Sequence, residues 1–181
     1  MKKVYVSLTN KDTIQKAIQE LEEYKKSLEY KNDLFVRKLT EIGVEVAETA
    51  IARGKGDTSK DARFSIVYNH TDYVIKGQII LTSTPKYDKD GRVFYPHLAW
   101  EFGAGIHFNN GNAHPLAAEM GMGVGTFPGQ KYALNDFWWY KDRLGHLHLS
   151  QGTQAAMPMY KASVEIINQI ELIAAEVFNG Q

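Results

Sequence analysis

The chain has 181 residues, 44% of them hydrophobic and 23% charged, with 21 basic side chains against 21 acidic ones. That length and composition fit one ordinary globular domain with a sizeable core. The neutral balance leaves little basic surface for binding nucleic acid through phosphate neutralisation, and the absence of cysteine excludes thiolate catalysis, cysteine-ligated zinc and disulfides.

The charged start MKKVYVSLTNKD carries too short an apolar run for a secretion signal. No stretch approaches the roughly 20 apolar residues of a membrane span. The expected setting is the cytosol, or an assembly built there.

In chain order, Val4–Leu8 is expected to form a short strand, with Asn10 or Thr13 capping a helix. Apolar residues then fall at Ile14, Ile18, Leu21 and Leu28, and again at Phe35, Leu39, Ile42 and Val46, with Lys25 and Asn32 interrupting. Alternating steps of three and four define one face of a long helix reaching about Arg53, with a kink expected near Lys31–Asp33. A buried stripe under a charged outer face explains this pattern. A coiled coil through the same stripe is the alternative, because so long a helix exceeds what one small sheet needs.

Gly54 and Gly56 suit the end of that helix. RFSIVYN and DYVIKGQIILTST read as two strands turning at His70–Thr71, and Asp90-Gly91 marks a second turn into a third strand, VFYPHLAWEF. Pro96 places the start of that strand at an edge or bulge. Residues 103–153 lack obvious elements apart from a small hairpin turning at Leu144-Gly145. So long a connection points to a functional or mobile insertion. Pro158 opens a last helix whose apolar face is Ala162, Ile166, Ile170, Ile173 and Val177, closed by Gly180. The fold class is therefore α+β: a long N-terminal helix and a C-terminal helix on a small antiparallel sheet, with a long glycine-rich loop, in a single domain over 1–181.

Three chemistries compete for HLAWEFGAGIHFNNGNAH, residues 97–114. His97 and Glu101 lie on one face of a strand and could meet a metal together with His107 or His114, as in a small metal-dependent hydrolase. Loop histidines without such a role are the plainer explanation. Gly-x-Gly here continues into no phosphate-binding pattern, so positive φ at a sharp strand exit accounts for the glycines. Glu101, at the end of an apolar strand, would need partners, and N–H groups freed by the glycine turn are the expected ones. Phe137, Trp138, Trp139 and Tyr140 cannot all face one core; they form either an interface or a local mini-core.

AWEFGAG, then HP and FPGQ, then GTQAAMPMYKA opening the last helix, resembles the small head–tail joining (tail-completion, minor tail) proteins of long-tailed bacteriophages. Glu101, Phe102, Gly103 and Gly105 match the strand end of that family, with Ala104 where threonine is common. Pro158 and Ala162 match the helix start, with Met159 in place of the usual aromatic. The resemblance implies a non-enzymatic virion protein without cofactor or metal, assembled in the host bacterial cytoplasm. It also implies a homo-oligomeric ring that meets neighbouring head–tail connector or tail-tube proteins. Any contact with DNA would be passive, in the ring lumen, and none is expected with membrane.

Overall fold

A computed structural model describes residues 11–53, 61–71, 74–87, 91, 93–110, 113–123, 130, 134–141 and 144–180. The strand expected at Val4–Leu8, its capping residues before Lys11, the glycines at 54 and 56, and the FPGQ segment up to Gly129 lie outside the described residues.

Helix α1 runs unbroken from Lys11 to Arg53, so the chain is helical straight through Lys31–Asp33. At 1.5 Å per residue it is about 65 Å long. Its buried side is confined to the C-terminal half: Leu39, Thr40, Gly43, Ala47, Ala50 and Ile51. Small residues there let other elements come close. A Cβ on Gly43 would meet the Ile79 and Ile166 side chains at 2.5 and 2.7 Å.

Strands β1 (Arg63–His70) and β2 (Ile75–Thr82) form an antiparallel hairpin with Ile66 opposite Ile79. Phe64, Ile66 and Tyr68 alternate toward the interior, the period-2 pattern of a half-buried strand. Gly77 of β2 lets the hairpin settle on α1 at Val36 and Thr40, and the Thr40 and Tyr68 hydroxyls are hydrogen-bonded at 2.7 Å. The reversal lies between His70 and Ile75, where Thr71 donates its N–H to the Val74 carbonyl at 2.9 Å. His70 therefore belongs to the strand rather than to the turn.

The expected third strand is corrected. Only Val93–Phe94 (β4) is extended, and it pairs with Lys86–Tyr87 (β3) around Gly91, whose φ is 75°. Pro96–Phe102 is a helix, α2. Pro96 stands in its first turn, where a missing N–H costs nothing and the fixed φ favours helix. The burial of Pro96, Ala99, Trp100 and Phe102 has helical spacing, which the apolar run had disguised as a strand. Instead of one small sheet there are three separate two-stranded sheets among the described residues.

The segment 103–153 is also more structured than a loop. It holds the short helix α3 (Ile106–Asn109) and the hairpin of β5 (Trp138–Lys141) with β6 (Leu147–Ser150), which reverses through Leu144 and Gly145. The final helix α4 (Pro158–Asn179) starts at the expected proline and ends on Gly180 in the left-handed conformation. It lies antiparallel on α1. Ile166 reaches Gly43, Glu176 pairs with Lys38 at 2.5 Å, and Lys31 donates to the Phe178 carbonyl at 3.1 Å. Leu39, Ile173 and Val177 form the buried centre, with Phe35 and Phe178 packed against it 5.8 Å apart. Of the expected face of α4, Ala162, Ile173 and Val177 are buried, whereas Ile170 is exposed at its edge.

Candidate functional site

The segments AWEFGAG and GTQAAMPMYKA meet in space. Helix α2 ends at Phe102, and the chain turns through Gly103 and Gly105, with φ of 78° and 81°. That backbone region favours glycine. A Cβ on Gly103 would run into the Asn109 side chain. Between the two glycines, Ala104 exchanges both backbone hydrogen bonds with Thr153, each at 2.8 Å. Pairing at that point brings the turn against the segment that enters α4.

Asn109 locks this junction. It is fully buried, and its amide donates to the carbonyls of Gly105 and Thr153 at 2.8 and 2.9 Å. Its side-chain oxygen accepts the Ala155 N–H at 2.9 Å. A single side chain thus ties three backbone groups together: it is the acceptor for the buried Ala155 N–H, a donor to the Gly105 carbonyl, and a second donor to the Thr153 carbonyl that Ala104 already bonds. The Trp100 carbonyl accepts N–H bonds from Ala156 and Met157 at 2.8 and 3.0 Å. Met157 itself takes a left-handed conformation, with φ of 54°.

Glu101 completes the connection. Its Oε2 accepts the Met159 N–H at 2.9 Å, and its Oε1 accepts the Tyr160 N–H at 3.0 Å. These are unpaired donors of the first turn of α4, and a carboxylate there also complements the helix dipole. Met157, preceding the helix, supplies no side-chain cap, so Glu101 caps α4 from a different helix. The partners of Glu101 are thus the N–H groups of α4 rather than those of the glycine turn.

His114 supports the cap. Its Nδ1 accepts the Leu116 N–H at 3.1 Å, which places the ring proton on Nε2, donated to Glu101 Oε1 at 2.8 Å. The ring is buried between Phe102 and Tyr160, with centroids 4.9 and 5.3 Å away.

His97 and Glu101, four apart on helix α2, share with His114 a pocket of about 310 Å³ that Phe102, Met120 and Tyr160 also line. His97 turns to Ser83, with its Nδ1 2.8 Å from the hydroxyl. Burial holds the His97 imidazole below its ordinary value, because the charged form is poorly solvated there. His107 is exposed and lies edge-on to Phe108. Among the described residues no three His, Asp or Glu side chains gather as a metal site.

The four aromatics divide. Trp138 is half-buried, and its ring lies over Gly105 and Gly152. Phe137, Trp139 and Tyr140 are exposed, with Trp139 the most open at 60%. Tyr140 stacks on His148 at 5.4 Å. Of the expected structural residues, Pro158 and Ala162 are buried at the start of α4 beside this junction.

Glu101 and the two glycines stand out in the sequence, whereas Asn109 and the pairing of His114 with Glu101 emerge only in the fold. The signal for Asn109 was its place after the glycine turn: such turns free backbone groups that an amide can satisfy at both ends. Comparison with family models, characterised proteins and solved structures finds no match.

Proposed function

We propose that this chain is a structural component of a bacteriophage particle, acting in head–tail joining or tail completion as a subunit of a ring. The observation that carries this reading is the junction of Glu101 with Met159 and Tyr160. The Glu-Phe-Gly-x-Gly turn and the Pro158 helix start are more than 50 residues apart in the chain. They are nevertheless bound into one unit, which supports reading the two segments as parts of one motif. Exposed aromatics on the β5–β6 hairpin add a surface suited to a neighbouring subunit or connector protein.

The metal-dependent hydrolase is the weaker reading. Both Glu101 oxygens already serve three donors, so metal ligation there would uncap α4. No helix among the described residues is long and apolar enough to cross a membrane.

Deleting the gene from a phage that carries it, and adding purified protein back to the lysate, tests the reading. Unjoined heads and tails that become infectious on addition support it. Normal particles without the protein refute it.

A further inference from the structure

The apolar row that packs α1 onto α4 does not stop where α4 stops. The last turn of α4 lies beside Lys31 and Phe35, so residues 11–30 of α1 extend about 30 Å beyond it. On this overhang Ile18, Leu21 and Leu28 are 51%, 65% and 39% exposed. With Lys25 and Asn32 standing at the two interrupted places, they continue the three-and-four spacing of the series Phe35, Leu39, Ile42 that is covered further along. A row with this spacing accepts another helix at a shallow crossing angle.

We propose that the helix covering it is the same overhang of a second copy, running antiparallel, so that the free protein is a two-fold dimer. The pattern of side chains selects both partner and direction. In a parallel pair Lys25, which interrupts the row, would face the partner's Lys25 across the seam. Running antiparallel, with Ile18 against the partner's Leu21, Lys25 falls opposite the partner's Ile14 and Lys11 opposite the partner's Leu28. Their aliphatic stems cover apolar surface while the ammonium groups reach water. Beside the seam, Gln15 meets the partner's Glu22 and Ala17 meets the partner's Tyr24. One is a hydrogen-bonding pair, the other a small side chain beside a large one, and no like charges face each other. The register spans residues 11–28, the length of the overhang, and sets the two folded bodies at opposite ends.

This inference goes beyond the ring and does not depend on it. A two-fold contact closes on itself. The dimer is therefore the form in which the free chain keeps this row out of water, and ring contacts use other surfaces.

Because the chain lacks cysteine, introduced thiols give a clean readout. Full-length Ile14→Cys and Lys25→Cys chains are oxidised separately and mixed. In the antiparallel register, residue 14 of each copy lies beside residue 25 of the other. Identical positions are about 16 Å apart along the axis. The expected result is disulfide-linked dimer from the mixture and almost none from either chain alone. Dimers from each chain alone would mean a parallel pair and overturn the proposal, as would no linked product from the mixture. In sedimentation, Leu21→Glu is expected to weaken the dimer at least about tenfold, since symmetry removes the contact twice. An unchanged helical circular dichroism signal shows that the fold survives, and an unchanged mass would contradict the proposed seam. Loss of head–tail joining with intact cross-links would touch the ring reading alone.

Discussion

Glu101 and His114 share a hydrogen bond of 2.8 Å, and through it the carboxylate that caps α4 is held in place by a side chain 13 residues further along. Glu101→Ala leaves the Met159 and Tyr160 N–H groups without their acceptor. A loss of about 2–3 kcal/mol in urea unfolding is expected. Glu101→Gln retains one acceptor oxygen and should lose less. Equal stability of all three proteins would show that solvent caps α4 instead.

Gly103→Ala adds a side chain at positive φ and displaces Asn109. The conformation alone costs about 1–3 kcal/mol. Asn109→Ala leaves the buried Ala155 N–H without its acceptor and takes a donor from the Gly105 and Thr153 carbonyls, and should cost a similar amount. Because the two sites are in contact, the double variant should lose less than the two single losses added together. Strict additivity would mean that the turn and the amide act independently.

The burial of His97 fixes a direction for pH dependence. Its folded value lies below the ordinary 6.5, so the unfolded chain takes up the proton first as pH falls. The stabilisation is complete above about pH 6.5 and is lost as pH drops toward the folded value. His97→Gln should flatten the decline of the melting temperature between neutral pH and pH 5. A steeper decline in the variant would reverse the assignment.

Replacing Trp139 by alanine should change stability by no more than about 0.5 kcal/mol, because the ring is exposed. In a joining assay the same variant should be impaired, because aromatics at a contact carry much of its energy. Full joining activity would remove the β5–β6 hairpin from the interface.

Treatment with a strong chelator should leave the melting temperature and the joining activity unchanged. One tightly held zinc or manganese per chain, lost together with His97→Ala, would favour the hydrolase.

The long helices were legible because their apolar residues repeat with the period of the helix over many turns, and Pro158 and Gly180 mark the ends of α4. The α2 helix was not. In HLAWEF the apolar residues Leu98, Ala99 and Trp100 are consecutive and Phe102 follows. So short a run separates strand from helix poorly, and the contacts of Trp100 and Phe102 with distant segments select helix. The glycine turn could be placed from Gly103 and Gly105 alone. The acceptor role of Glu101 could not, because its partners Met159 and Tyr160 arrive from the far end of the sequence. The same holds for Asn109, whose polar side chain reads as a loop residue until its three backbone partners surround it.

The most direct test of the central claim is in vitro joining. Heads and tails from a phage lacking this gene are mixed with purified protein, and infectious particles are counted. The account predicts that infectivity rises with added protein and that the protein is found at the head–tail junction by gold labelling. Particles that join equally well without it, or that never incorporate it, would contradict the account.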